Sequence, residues 1–378
     1  MQDKIKIIYL IENLKSGGAE QLLFTTLKYL NRSKFIPVVC CLCEKGEIAA
    51  EIERETGIVI GSLNRRCRIW DLGAVIPLMR FFLKEKPHIL HTNLFFASYF
   101  GRIAAIFTSI PVVVITEHGT HSNFKRFYHH WIDFILSFFT TKIIAVSNAV
   151  KKYLLSHSLI LANKIIVIYN TIDFERLDKV LDIDKLSVRK KLGFTGNGFI
   201  IGCVATLAPW KGHIFLLEAF SEVIKSYPEA KMCFVGRDAV GLKNELESFA
   251  RKRGILKNTY FLGERRDIPE ILRALDVFVL PSLTEGLGIS LLEAMYLGLP
   301  AVASGTEGVL EVIEDQKDGI LTSCGNSYAL ARKIESLLKD RKKSEQLGFN
   351  AREKVKKYFS THAYIQKLES FYEGLART

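Results

Sequence analysis

The sequence predicts an α/β protein of two doubly wound domains, each a parallel sheet covered by helices on both faces. Three observations lead there. Short runs rich in Ile and Val alternate with amphipathic stretches from end to end, the pattern of parallel strands joined by helical crossovers. The runs are too many for one ordinary open sheet. The chain's 378 residues also exceed what a single core organises well.

In the first half, strands are expected at Ile5–Ile11, Ile36–Cys43, His88–His91, Val112–Thr116, Ile143–Val146 and Ile165–Ile168. Helical periodicity appears between them at Ala19–Leu30, Leu72–Glu85 and Asn148–Leu155, where apolar residues recur every three to four positions. Leu94 to Thr116 is apolar enough to span a bilayer. However, Arg102 beside Gly101, with Pro111 beyond, makes a helix followed by a buried strand the better reading. In the second half, strands are expected at Phe199–Val204, Met232–Val235, Thr259–Leu262, Val277–Leu280 and Pro300–Ala303. The helices there are expected at His213–Ser226, Leu242–Arg253, Gly288–Leu297 and Tyr328–Leu338.

The alternation stops between Tyr169 and Lys191, a polar stretch with several acidic residues. The expected organisation is an N-terminal domain over 1–172, a linker over 173–192 and a C-terminal domain over 193–355. A final helix over 356–378 is expected to cross back to the N-terminal domain.

Composition narrows the class. Hydrophobic residues at 48% and charged residues at 24% exclude a disordered or fibrous chain. The net charge is +12, and residues 1–180 hold 23 of the 52 basic side chains but only 15 of the 40 acidic ones. A basic first half suits an acidic partner, yet no nucleic-acid-binding module is recognisable. The seven cysteines fall mostly in apolar runs, as core thiols in a reducing compartment do. Met1 leads directly towards a strand-like run without a signal-peptide pattern, so a cytoplasmic protein is expected.

Ligands of doubly wound sheets bind beyond the carboxyl ends of the strands, and the chemistry-bearing motifs fall there. Glu285-Gly-Leu-Gly-Ile-Ser-Leu-Leu-Glu293-Ala-Met follows the run Val277–Pro281 and enters a helix. Gly286 and Gly288, flanking Leu287, let backbone amides at a helix N-terminus approach an anion closely. A carboxylate on the turn can accept hydrogen bonds from sugar hydroxyls, and Glu293, set among Leu291, Leu292, Ala294 and Met295, is costly to bury without a partner. Lys211 follows a strand and a Pro and precedes Gly212, a place where an ammonium can neutralise a diphosphate. Ser16-Gly17-Gly18-Ala19-Glu20 makes a glycine turn after the first strand, without the GxGxxG spacing of a dinucleotide fingerprint.

Together these residues resemble the retaining glycosyltransferases of family 4. Glu285 and Glu293 match the E-x7-E signature, and Val204-Ala-Thr-Leu-Ala-Pro-Trp-Lys211-Gly212 resembles the family's diphosphate-clamping segment. Phe234-Val-Gly236, Phe261-Leu-Gly263, Gly308-Val-Leu-Glu311 and Asp318-Gly319 follow in the family's order. The resemblance covers nearly the whole chain. It implies the GT-B fold: two Rossmann-like domains facing across a cleft, with the C-terminal helix packing back over the junction. It also implies transfer of a hexose or N-acetylhexosamine, with retention and without a bound metal, from a nucleotide diphosphate sugar, a UDP-sugar being favoured.

On the family pattern His118, Lys211 and Glu285 are the catalytic residues. Gly17, Gly18, Thr206, Lys211, Gly236, Arg265, Gly286, Leu287, Gly288 and Glu293 hold the donor. The family usually places an Arg five residues before the Lys, where this chain has Thr206, so Arg237, Arg265 and Arg266 are candidates to supply the lost charge. His91 is a weaker candidate for the acceptor side. Ser147 reads first as a helix cap, and Asn170 and Asp173 resemble the family's interdomain segment. Asp182 and Asp184 have a metal-binding spacing, but in the linker rather than after a strand.

The expected acceptor is a lipid-linked or cell-envelope glycan. The aromatic and basic stretch Asn123–Phe139, with Arg65, Arg66, Arg68 and Trp70, reads equally as a surface for anionic membrane or as the back of a core helix. Two rival readings are a nucleotide-sugar epimerase of the same fold and a non-catalytic nucleotide-sugar-binding subunit.

Overall fold

The structure, a computed structural model, describes residues 4–66, 71–119, 127–194 and 196–377. It comprises two compact units: Met1–Asn170 with Thr361–Thr378, and Thr171–Ser360.

The first unit runs β1 (Ile5–Ile11), α1 (Gly18–Tyr29), β2 (Phe35–Cys41), α2 (Ile48–Thr56), β3 (Ile60–Ser62), α3 (Val75–Glu85), β4 (Ile89–Asn93), α4 (Phe95–Thr108), β5 (Val112–Glu117), α5 (Phe127–Ser137), β6 (Lys142–Ala145), α6 (Asn148–His157) and β7 (Ile165–Val167). Among the described residues these strands form one parallel sheet in the order β3-β2-β1-β4-β5-β6-β7. Strand alternation divides its core. Ile7, Tyr9 and Ile11 of β1 enter one cluster with α1 and α2, while Ile8 and Leu10 enter another with α3 and α4. Both faces are therefore buried, which is why Ile7–Ile11 of β1 reads as a continuous apolar run.

The stretch Leu94–Thr116 resolves into α4 and β5, and among the described residues no helix is long and apolar enough to cross a membrane. Arg102 is buried against Asp133 at 2.5 Å.

The second unit begins where a linker was expected. Its elements are α7 (Phe174–Asp178), α8 (Lys185–Lys191), β8 (Ile200–Val204), α9 (His213–Ser226), β9 (Lys231–Val235), α10 (Lys243–Lys252), β10 (Thr259–Phe261), α11 (Ile268–Ala274), β11 (Val277–Leu280), α12 (Ile289–Tyr296), β12 (Ala301–Ser304), α13 (Glu307–Leu310), β13 (Ile320–Thr322), α14 (Ser327–Lys339) and α15 (Arg341–Tyr358). The parallel sheet runs β10-β9-β8-β11-β12-β13. The chain moves outward one way from β8 and then the other way from β11, so the switch point of this sheet lies between those two strands. Residues 173–192 are packed rather than loose. Asp173 and Asp184 cap α7 and α8, and Lys185 and Arg189 reach Asp276 at 2.7 and 2.5 Å.

The last helix, α16 (Thr361–Ala376), belongs to the first unit. Its Leu368 and Tyr372 complete the cluster around Ile7 and Tyr9. Tyr372 Oη lies 2.5 Å from His91 Nδ1, and His91 Nε2 lies 2.6 Å from Thr116 Oγ1. Burial, then the neighbouring His118, pushes the His91 imidazole down to about 3. His91 is accordingly a neutral core residue at neutral pH.

Cys40, Cys41, Cys203 and Cys233 are free and buried, as expected of core thiols, and burial pushes each up to about 12. Cys43 departs from that expectation because it is disulfide-bonded. Cys67, Arg68, Trp70 and residues 120–126, His121 and Asn123 included, lie outside the described residues.

Candidate functional site

The second unit concentrates its polar side chains where β8 and β11 end. After β8 the chain passes through a short 3-10 turn, Pro209–Lys211, and then Gly212 at φ +69°. A Cβ on Gly212 would lie 2.1 Å from the Pro281 carbonyl oxygen, so only glycine permits this approach. Leu283 N donates to Trp210 O at 2.8 Å and ties the two loops together. Lys211 Nζ thereby comes within 2.6 Å of Glu285 Oε2, which Ser282 Oγ also reaches at 3.1 Å. Beneath them, His213 opens α9 against the Phe234 ring. Burial, then the Lys211 charge, holds its imidazole down at about 4.

The turn Glu285–Gly288 is anchored by buried Leu287 and closes with Gly288 at φ +89°, the N-cap of α12. Gly308 packs on its underside: a Cβ there would meet the Gly286 and Glu285 carbonyl oxygens at 2.4 and 2.5 Å. The first amides of α12 have no intrahelical partner and carry the positive end of the helix dipole.

Glu293 lies within α12 at 7% exposure. Its carboxyl is raised above the ordinary range mainly by burial, with Arg176 opposing and Asp173 reinforcing the shift. Arg176 stands 3.8 Å away and also donates to Arg266 O at 2.7 Å. Helix α7 is held there by Phe174 stacking on Tyr296 at 4.2 Å and by a Tyr296 Oη bond to Asp178 at 2.7 Å.

The three candidate arginines differ. Arg265 is engaged by Asp267 through two contacts, at 2.8 and 2.6 Å. Arg266 contributes its carbonyl to Arg176. Arg237 sits beside Thr206: Leu207 N donates to Arg237 O at 2.8 Å, and a Cβ on Gly236 would meet Ala205 O at 2.1 Å and Thr206 N at 3.0 Å. The Arg237 Nε is buried without a hydrogen-bond partner among the described residues.

In the first unit, Gly17 caps α1 and Gly18 begins it, directly after β1. His118 follows β5 and lies 3.1 Å from Asn93 Oδ1 at the end of β4, the neighbouring strand. These residues share the carboxyl edge of that sheet. Ser147 is a helix cap, accepting from Val150 N at 3.1 Å. Asp184 accepts from Ser187 N at 2.8 Å as a cap. Among the described residues no group of three His, Cys, Asp or Glu side chains could hold a metal ion.

Arg176, Ser282 and His213 escape sequence reasoning. Arg176 falls in a segment read as linker, and only the docking of α7 brings it to Glu293. Ser282 and His213 do flank the two motifs directly, so their proximity to Glu285 and Lys211 was the available signal.

Comparison with known proteins matches the same division. The model of Glycosyl transferases group 1 matches residues 184–354, and that of Glycosyltransferase Family 4 matches residues 16–176. The UDP-Gal:alpha-D-GlcNAc-diphosphoundecaprenol alpha-1,3-galactosyltransferase of Escherichia coli is 30% identical over 312 residues, 80% of each chain. The capsular polysaccharide biosynthesis glycosyltransferase CapM of Staphylococcus aureus is 28% identical over 314 residues, again 80% of each chain. Among solved structures, Anabaena Alr3699/HepE in complex with UDP and glucose superposes with a TM-score of 0.86 at 25% identity. The match covers 98% of this chain and 99% of that one. Sucrose-phosphate synthase from Thermosynechococcus elongatus, with a TM-score of 0.78 at 17% identity and coverage of 98% and 99%, shares the fold.

Proposed function

The chain belongs to the glycosyltransferases of group 1 and family 4, and we propose that it moves a hexose or N-acetylhexosamine from a UDP-sugar to a lipid-linked or cell-envelope glycan, with retention. The observation that carries the donor assignment is the Lys211–Glu285 contact of 2.6 Å at the ends of β8 and β11, on the turn that leads into the helix holding buried Glu293. Support for the donor base comes from the HepE structure, which holds UDP and glucose. Support for the acceptor comes from the Escherichia coli relative, whose name specifies a diphosphoundecaprenol-linked sugar, and from the capsular role in the name of CapM.

Lys211 and the amides around Gly286–Gly288 face the departing diphosphate and stabilise the charge it gains. Glu285 accepts hydrogen bonds from the donor sugar, and Glu293 from the ribose hydroxyls. The bond between the anomeric carbon and the diphosphate oxygen breaks while the acceptor oxygen bonds to that carbon on the same face. The acceptor's proton passes to the leaving phosphate, so no side-chain base is required. The roles of His118, Gly17 and Gly18 in holding the donor rest on the family resemblance.

Arg237 supplies the second cation where Thr206 replaces the family's usual Arg. Its free Nε and its place beside Thr206 favour it over Arg265, whose guanidinium Asp267 occupies. With two cations facing the diphosphate we assign the reaction no bound metal, and addition of EDTA should leave the rate unchanged. The decisive assay supplies a labelled UDP-sugar with and without undecaprenyl-diphosphate-GlcNAc. Label in the lipid fraction supports transfer. A new nucleotide sugar without acceptor would instead support an epimerase, and turnover of neither would leave the non-catalytic reading.

A further inference from the structure

Glu293 must keep a charge in a place that disfavours one. Its side chain is buried, and burial raises its carboxyl above the ordinary range, which moves the group toward the neutral acid. A neutral acid suits a ribose poorly. A carboxylate offers two acceptor oxygens to a vicinal diol, whereas protonation turns one of them into a donor and removes the strength that charge adds. One group opposes the shift: the Arg176 guanidinium, 3.8 Å from Glu293 Oε1. At that separation the two form an ion pair without a hydrogen bond. The charged form is favoured, and no carboxylate lone pair is spent.

Arg176 is held by contacts other than Glu293. Its Nη2 donates to Arg266 O at 2.7 Å, and its backbone N–H donates to the capping Asp173 at 3.2 Å. Phe174 and Asp178, two residues to either side, fasten α7 to Tyr296 through the 4.2 Å ring stack and the 2.7 Å hydroxyl bond. Tyr296 lies three residues beyond Glu293 on α12, so the helix that carries the carboxylate also anchors its counter-charge. Asp173 faces Glu293 as well and raises its carboxyl further. Asp178 is taken by Tyr296, and Arg352 of α15 sits over the Tyr296 ring at 5.6 Å. Among the described residues α11 and α15 add no charge that shifts Glu293.

We propose that Arg176 is a positioning residue for the transfer reaction, supplying the buried counter-charge that lets Glu293 accept both ribose hydroxyls while making no contact with the donor itself. The proposal rests on the reading of Glu293 as the ribose acceptor. It gives α7, a segment whose sequence reads as linker, a task in selecting ribose over a sugar that lacks those hydroxyls.

The test titrates UDP and 2′,3′-dideoxyuridine diphosphate into the full chain, as wild type, R176Q, R176K and E293Q. Wild type is expected to bind UDP at least tenfold more tightly than the dideoxy analogue. R176Q should lose about tenfold toward UDP, the scale of one hydrogen bond to a charged group. It should keep its affinity for the analogue, which also shows that it folds, and R176K should recover part of the loss. Protonation of the shared diphosphate cancels in the ratio of the two affinities. That ratio should fall on acidification, and the fall should begin at a higher pH in R176Q, because removing Arg176 lets the Glu293 carboxyl rise further. Equal losses toward both ligands in R176Q would make Arg176 a structural anchor of α7 and overturn the proposal. So would a wild-type preference and pH profile kept in R176Q while E293Q loses the preference. A wild type that binds both ligands equally, or an E293Q that keeps the preference, would overturn the ribose reading of Glu293 and the proposal with it.

Discussion

Lys211 Nζ lies 2.6 Å from Glu285 Oε2, and this contact joins the loop after β8 to the turn after β11 across the switch point of the second sheet. Neither residue is strongly exposed, at 21% and 12% for the side chains. On the proposed reading, a donor diphosphate competes with Glu285 for Lys211 and leaves the carboxylate to the sugar hydroxyls.

Lys211→Met should therefore lower kcat/KM by roughly a hundredfold or more, the usual scale for removing one donor to a developing oxyanion. Lys211→Arg should restore only part of it, because a planar fork does not reproduce a compact ammonium. Initial rates with saturating acceptor give both values.

Glu293 predicts an opposition between stability and binding. Its folded-state value is raised above the ordinary 4.5, mainly by burial, so the folded protein holds that proton more tightly than the unfolded chain. Stability is then lost as pH rises from the ordinary value through the raised one, and is unaffected below it. In Glu293→Gln that slope disappears. The melting temperature of the variant should gain on wild type as pH rises through this window, while its affinity for UDP falls about tenfold or more with the loss of a charged acceptor. Melts across a pH series, with and without UDP, measure both.

Arg237→Ala should weaken UDP binding by about tenfold, the scale of one hydrogen bond to a charged group. Arg265→Ala should weaken it far less, since Asp267 already takes that guanidinium. Calorimetry on the two variants distinguishes them, and the reverse ranking would return the compensating role to Arg265.

Gly212→Ala should destabilise the second unit by roughly 2 kcal/mol or more, because it combines a left-handed backbone with a clash against a carbonyl. The Cβ would sit 2.1 Å from Pro281 O at φ +69°. The loop joined by Leu283 and Trp210 must then move, so UDP binding should fall with stability. Denaturant unfolding and UDP titration of the same protein show whether the two losses travel together.

The central residues of the candidate site can be read in the sequence because the groups that would form it are local. Glu285, Gly286, Gly288 and Glu293 occupy one turn and one helix, and Lys211 carries its glycine beside it. The long strands were legible for a similar reason, since β1 and β5 write burial directly into consecutive Ile and Val. Strands β3 and β13 were not expected: in β3 one Ile precedes Gly61 and Ser62, and in β13 only Ile320 and Leu321 are apolar. Helices α7 and α8 lack an apolar stripe. Caps from Asp173 and Asp184 and the pairing of Lys185 and Arg189 with Asp276 hold them, and such long-range contacts leave no local pattern. The same docking explains why Arg176 was not read as the neighbour of Glu293. The stretch around α5 admitted both a core and a surface reading, and side-chain exposure separates His129 and Leu136 from Trp131 and Ile135.

The central claim is that the second unit grips a uridine diphosphate between Lys211 and Glu293. The most direct measurement is isothermal titration of UDP into wild type, Lys211→Met and Glu293→Gln. The account predicts saturable one-site binding by wild type and at least a tenfold loss in each variant whose circular dichroism matches wild type. Wild-type affinity retained in both folded variants would contradict it.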